Sequence, residues 1–189
     1  MLKQRLISAL ILSIGIVPVL FLLPNNYLII FILLLTCVSL QEFLALRFST
    51  LTTILFVCFS LVLFYFSSFP GLNKVFIGFS ALTYLGLFFL IISFPVSKLF
   101  LQRNFIWLTS GVAIHLGFFA SLYFLISQDE LVLKHFGMDI TNRTTLLIIV
   151  LISVMMDSFA FFGGKKFGKS KLLQNVSPNK TIEGFLIAM

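Results

Sequence analysis

Long apolar runs alternate with short polar breaks along the 189 residues, and the runs are as long as a bilayer is thick. A membrane-crossing helix needs about 20 mostly apolar residues. Six stretches meet that requirement: 6–23, 27–46, 51–69, 75–94, 106–126 and 145–163. The breaks are short except for 127–144, which carries Asp129, Glu130, Lys134, Asp139 and Arg143. Pro24, Pro70 and Pro95 fall at or just past run ends, where a helix can stop without an unmade internal hydrogen bond. Trp107, Tyr27 and Tyr65 sit near run ends, as interfacial aromatic belts require. No alternating strand–helix pattern and no internal repeat accompanies them. The pattern predicts an all-α fold, a polytopic helical membrane protein of about six transmembrane helices over 1–163. A basic Gly/Lys-rich loop and the start of a further helix follow over 164–189.

The first run follows Lys3 and Arg5, as in a signal peptide. Its length of about 18 residues exceeds the usual 7–15, and no A-x-A site follows it. It is read as an uncleaved first span.

Composition strengthens this picture. The chain is 60% hydrophobic and 10% charged, with 25 Phe residues, against about 45–50% apolar and about 25% charged in soluble domains. The solvent for most of it is lipid. Cys37 and Cys58 both lie in apolar runs with no CxxC or Cys/His cluster, so a disulfide framework and a structural zinc site are excluded.

A formal net charge of +7 raises the question of nucleic acid. On a membrane chain, basic excess marks the loops that face the cytoplasm and its anionic headgroups. No basic helix with stacking aromatics lies outside the apolar runs, so nucleic acid is not an expected partner. With six spans and the N-terminus inside, one side collects Lys3, Arg5, Arg47, Lys98, Arg103, Lys165, Lys166, Lys169, Lys171 and Lys180. The other side has Lys74, Lys134 and Arg143. Ten against three orients the basic stretch after residue 163 to the cytoplasm.

Three acids are embedded in apolar runs or abut them: Glu42, Asp157 and Glu183. An ionisable group in a span costs about 2.5–3.5 kcal/mol on insertion scales, so it faces a cavity or a partner. Glu42, beside Gln41 and near Arg47, is equally well explained by the headgroup region. Ser153, Asp157, Ala160 and Gly164 recur at steps of four, three and four, which stacks them on one helical face. Such a small-and-polar seam packs closely against neighbours or lines a wet cavity. His115, alone in the fifth run, is expected to bond a neighbouring span rather than to be a ligand.

"GGKKFGKS" at 163–170 matches the letters of a phosphate-binding P-loop. That loop works only between a buried strand and a helix, whereas here a run of spanning length precedes it, so the motif is rejected. Its chemistry is kept. Gly163, Gly164 and Gly168 let backbone approach a ligand, and Lys165, Lys169 and Lys171 supply ammonium groups. "SPNKT" offers Ser177 as a helix N-cap with Pro178 in the first turn, with Lys180 and Thr181 beside that anion-attracting end. A carboxylate can hold a divalent metal, and metal plus lysines neutralise polyphosphate. That equipment suits phosphoryl or nucleotidyl transfer at a membrane surface.

"DSFAFFGGKKFGKSKLLQNVSPNKTIEGF" resembles the central cytoplasmic motif of bacterial phosphatidate cytidylyltransferases, or CDP-diacylglycerol synthases. Asp157, Ser158, Ala160, Gly164, Lys165, Phe167, Gly168, Lys169, Lys171, Leu172, Ser177, Pro178, Lys180, Thr181 and Gly184 match at the family's spacing without a gap. "MLKQRLISALIL" and "QEFLAL" are also similar to that family. Phe161 stands where the family usually has Tyr, and Ile182 where it usually has Trp.

The resemblance implies transfer of CMP from CTP to phosphatidate with Mg²⁺, in the bacterial inner membrane with the active face cytoplasmic. Asp157 is the expected catalytic carboxylate and a metal ligand. Lys165, Lys169, Lys171, Ser177, Lys180 and Thr181 are the expected substrate-binding residues. CTP, phosphatidate and membrane lipid are the expected partners, and a homodimer stays open. The family's signature, with its principal metal ligands, lies beyond Met189. The chain as given is therefore expected to end early in a seventh span and not to turn over alone. Another CTP-using lipid enzyme such as a polyprenol kinase, a small transporter and a non-catalytic scaffold are the competing readings.

Overall fold

The residues that break the hydropathy pattern also end the helices. A computed structural model describes residues 15–127 and 141–189. Helix α1 is described over 15–22. It is followed by α2 (Asn25–Ala45), α3 (Thr50–Phe66), α4 (Leu72–Ile92), the single turn α5 (Lys98–Leu101), α6 (Asn104–Ser127) and α7 (Asn142–Phe167). Strands β1 (Lys171–Leu173) and β2 (Ser177–Thr181) and helix α8 (Ile182–Ala188) complete the described chain. Pro24 stands at the N-cap of α2, where its missing N–H is not needed. Gly71 turns the chain into α4 with φ 92°, a left-handed conformation that glycine adopts without a side-chain clash. Thr141 caps α7, its hydroxyl accepting from the Thr144 N–H at 3.3 Å.

Helices α2, α4, α6 and α7 are long and apolar enough to cross a membrane. Helix α3 is apolar but only 17 residues long, about 25 Å of rise against a hydrocarbon core of about 30 Å. The run 51–69 is longer than the helix it forms. Ser67 and Ser68 turn their hydroxyls onto the carbonyls of Phe64 (2.7 Å) and Tyr65 (2.6 Å) and close α3 at Phe66. The first expected span lies mostly outside the described residues, as do Lys3, Arg5, Asp129, Glu130, Lys134 and Asp139. The architecture is that of an integral membrane protein built of helices, with four helices among the described residues long and apolar enough to cross the bilayer.

The described part is not wholly helical. β1 and β2 form a two-stranded antiparallel ribbon, with Lys171 opposite Thr181 and Leu173 opposite Ser177. Its turn is closed by the Val176 N–H on Leu173 O at 3.1 Å. A bare two-stranded hairpin is marginal in water; this one is held from both ends by α7 and α8.

Helix α6 is the hub of the bundle, meeting α2, α3, α4, α5 and α7. Lipid tails are as apolar as leucine, so helices in a membrane associate through close packing and polar contacts. Helix α6 is built for close packing: Ser110, Gly111, Ala113, Gly117 and Ala120 are among its buried residues. A β-carbon added at Gly117 would collide with the Ser80 side chain of α4, and one at Gly111 would stand 2.6 Å from the Phe43 ring of α2. Leu28, Ile32, Thr36, Leu40 and Leu44 bury one stripe of α2 at steps of four. Buried hydroxyls are satisfied within their own helices, Thr36 on Ile32 O and Ser60 on Phe56 O, both at 2.7 Å. Between helices, His115 Nδ1 donates to Gly111 O at 2.7 Å, which leaves Nε2 to accept from Ser39 Oγ of α2 at 3.1 Å. The expected interhelical partner of His115 is therefore Ser39.

Arginines mark the two ends of the bundle. At one end, Arg143 of α7 donates to Leu20 O (3.1 Å) and Phe21 O (3.0 Å), the free carbonyls at the end of α1. Its other nitrogen reaches Asn25 Oδ1 at 2.7 Å. At the opposite end, Arg47 donates to Leu101 O at 3.3 Å and lies 5.8 Å from the Trp107 ring centroid. Trp107 in turn stacks on Phe43 at 4.8 Å. The 26 residues of α7 rise about 39 Å, which carries the chain from the Arg143 end towards the Arg47 end before the ribbon begins.

The α4–α6 contact gives a direct test. Gly117→Val should lower stability by about 1–3 kcal/mol through overpacking, read as a lower thermal midpoint in detergent. Gly86→Ala, on α4 where an added β-carbon meets nothing within 4 Å, should show no loss.

Candidate functional site

The polar stretch after the last long span folds into one small unit: the end of α7, the β1–β2 ribbon and the first turn of α8. Helix α7 does not stop at the first glycine. Gly163, Gly164, Lys165 and Lys166 are its last full turn, and Gly168 follows as the C-cap with its N–H on Gly164 O at 3.1 Å. Gly163 and Gly164 are thus helical, and they serve packing. Gly184 of α8 lies so close that an added β-carbon would stand 2.7 Å from Ala160 O and 2.9 Å from Gly164 Cα. The lower half of the expected seam, Ala160 and Gly164, is the half that α8 covers.

Ser177 is not a helix cap, contrary to expectation. It opens β2, and Thr181 is the N-cap of α8, with its hydroxyl accepting from the Gly184 N–H at 3.2 Å. The fixed φ of Pro178 fits an extended edge strand as well as a first helical turn. Pairing of Ser177 with Leu173 decides for the strand. Thr181 also fills the space left by two glycines: a β-carbon on Gly168 would meet its methyl at 2.7 Å, and one on Gly164 its hydroxyl at 3.0 Å.

Glu183 closes the unit. Its carboxylate accepts from the Lys169 N–H at 3.0 Å and from the Ser170 N–H at 3.1 and 3.2 Å, while Ser170 O accepts from the Ile182 N–H at 3.0 Å. Two backbone amides just past a helix end form an anion cradle, and here an acid of the same chain fills it. The backbone N–H groups of Glu183 itself and of Lys169, with a smaller share from Ser170, hold the carboxyl below its ordinary range against a weaker opposing effect of desolvation. The sequence marks Glu183 as an acid at the membrane edge without identifying its partners. The acid at the second helical position after Thr181 was the available signal.

The lysine side chains stand outside the clasp. Lys165, Lys169, Lys171 and Lys180 are exposed, and among the described residues none forms an ion pair. Lys166 lies 5.3 Å from the Phe167 ring centroid. Lys171 sits on the ribbon opposite Thr181, and Lys180 is its neighbour in sequence.

Asp157 is not drawn into this cluster. It is exposed and has no hydrogen-bond partner among the described residues. Eight residues of helix separate it from Lys165, about 12 Å along the axis. Ser153 and Ser158, on either side of it, bond carbonyls of their own helix, Ile149 and Val154, at 2.9 and 2.8 Å. Glu42 is also exposed. No group of three or more His, Cys, Asp or Glu among the described residues is placed to hold a metal ion. Asp157 offers one free carboxylate and Glu183 is already engaged, so these residues do not make a magnesium site by themselves.

A pH dependence follows from Glu183. Because its carboxyl is depressed in the folded chain, its contribution to stability is present above the unfolded value of 4.5 and fades as pH falls through the lower folded value. The gap in thermal midpoint between wild type and Glu183→Gln should be constant near neutral pH and should close below 4.5. A gap that persists unchanged in acid removes the carboxylate from the clasp.

The model of the cytidylyltransferase family matches residues 3–189. A phosphatidate cytidylyltransferase of Haemophilus influenzae is 31% identical over 204 aligned residues, covering 98% of this chain and 68% of that protein. A phosphatidate cytidylyltransferase of Aquifex aeolicus is 49% identical over 41 residues, which are 22% of this chain and 16% of the relative. No solved structure matches the chain. With a match that runs almost from end to end, the chain belongs to the cytidylyltransferase family.

Proposed function

We propose that the protein transfers CMP from CTP to phosphatidate, giving CDP-diacylglycerol and pyrophosphate at the cytoplasmic face of a bacterial inner membrane. The observation that carries the reading is the cluster of exposed, ion-pair-free lysines on a backbone-locked ribbon at the end of a spanning helix. The printed name of the Haemophilus relative supplies the substrates. In the reaction, an oxygen of the phosphatidate phosphate attacks the α-phosphorus of CTP. One P–O bond forms, the bond to the bridging oxygen breaks, and pyrophosphate leaves with its electron pair.

The nucleophile is already an anion, so no general base is needed. The task is to align two anionic substrates and neutralise the charge that moves onto the leaving group. Lys165, Lys169, Lys171 and Lys180 suit that task, and Ser177 lies on the same ribbon. Thr181 serves chiefly as the cap that seats α8. A lone carboxylate repels a triphosphate, so Asp157 can serve this reaction only beside a cation. The described residues do not complete a site for that cation.

The cytoplasmic assignment draws on the ten-to-three charge asymmetry. It is supported by the separation of Arg143 from Arg47 at opposite ends of the bundle. Ser170→Cys should resist a membrane-impermeant thiol reagent added outside intact cells and react once the membrane is opened. Strong labelling from outside would invert the orientation.

Substitutions separate the roles. Lys169→Ala and Lys180→Ala should each raise the KM for CTP or phosphatidate by up to about fivefold, the effect of one solvent-exposed charged contact among several. Asp157→Asn should abolish or cripple turnover while membrane insertion stays intact. Near-normal CDP-diacylglycerol synthesis by Asp157→Asn would reduce that acid to a packing residue.

A further inference from the structure

The amides of Lys169 and Ser170 point at one place, and a polyphosphate oxygen is a natural occupant of such a cradle. The Glu183 carboxylate is there instead, with both of its oxygens engaged. Two consequences follow for any anionic substrate. The backbone cradle is closed to it, so recognition falls to the lysine side chains. The chain that carries two of those lysines is also held in a single path, because Glu183 ties the exit of α7 to the first turn of α8 while the Ser170–Ile182 bond closes the same ring.

Glu183 forms no ion pair with a lysine among the described residues. Its charge is used on N–H groups rather than on the ammonium group of Lys180, three residues earlier in the sequence. We propose that Glu183 is a positioning residue for CTP: by occupying the Lys169 and Ser170 amides it fixes the backbone from which Lys169 and Lys171 reach the triphosphate. This rests on the cytidylyltransferase reading above and adds to it a residue that touches neither substrate.

Positioning and simple electrostatics make opposite predictions, which Glu183→Gln separates. Gln keeps one acceptor oxygen at nearly the same place and removes the negative charge. If Glu183 mattered only as a charge near the lysines, its removal would strengthen binding of a polyanion and lower the KM for CTP. If it positions the lysines, the weaker clasp should raise the KM for CTP by about three- to tenfold, the effect of one lost hydrogen bond. In that case kcat should change less than twofold and the KM for phosphatidate should not move.

The full-length protein is purified in detergent, and CDP-diacylglycerol formation is measured for wild type and Glu183→Gln against CTP and against phosphatidate. Hydrogen–deuterium exchange over residues 168–171 is followed in parallel. The expected result is the CTP-selective rise in KM together with faster exchange at those residues. A lowered KM for CTP overturns the proposal in favour of plain electrostatics. An unchanged KM with a lower thermal midpoint overturns it in favour of a purely structural clasp. A wild-type protein that forms no CDP-diacylglycerol at all overturns the functional reading, and this proposal with it.

Discussion

The unit that carries the lysines depends on one close approach, that of Gly184 in α8 to Ala160 and Gly164 in α7. No β-carbon fits at Gly184, so the two backbones lie nearer than side chains permit. That closeness brings Thr181 into the space beside Gly164 and Gly168, and brings Glu183 within reach of the amides just past α7. The ribbon between the helices then has both ends fixed within a few ångströms of each other. Its eleven-residue path from Lys171 to Thr181 needs little stability of its own, since most of its closure entropy is met by the helix contact.

The same device recurs in the bundle. Helix α6 meets α4 at Gly117 and α2 at Gly111, and in each case the absence of a side chain admits a neighbour. In lipid this is the expected currency of helix association, because burying leucine against leucine gains little over leucine against acyl chains. The large apolar residues of α4 and α7 accordingly stay on the outside, as with Phe88, Phe89, Met155 and Phe159. Buried hydroxyls such as that of Thr36 turn inward on their own helix, while the half-buried His115 reaches across to the exposed Ser39 of the next. A bundle with these contacts can hold α7 upright by few points. The Arg143 clasp on α1 and α2 is one of them.

Much of this was legible in the sequence, and the misses have specific causes. Hydropathy found the long helices because a spanning helix must be apolar over its whole length. It overran α3, where Ser67 and Ser68 end the helix with local hydrogen bonds that an apolar average does not register. The step pattern Ala160–Gly164 announced a packing seam, and α8 fills it. "SPNKT" forms a strand where a helix start is expected, because Ser-Pro opens a helix or an edge strand equally well. The pairing that decides comes from Leu173, outside the motif. Glu183 was visible as an acid at the membrane edge, but its partners are backbone N–H groups, which every residue has and no letter records. Asp157 is the converse case: its letter is conspicuous, and the described residues give it no partner.

The unit separates two kinds of donor, and the proposed transfer would use them differently. Backbone amides are rigid donors, and a cradle made of them fits one anion geometry. Ammonium groups on four-carbon stems are adaptable donors that can follow a triphosphate as it becomes a nucleoside monophosphoryl ester and pyrophosphate. Here the rigid donors are taken by Glu183 and the adaptable ones are left exposed. Several like charges on one short ribbon repel one another, though only weakly when each reaches water and salt screens beyond about 8–10 Å. The clasp that holds the ribbon meanwhile uses no lysine: it is made of carboxylate-to-amide bonds and the Gly164–Gly184 contact, so the repulsion among the ammonium groups costs it no partner.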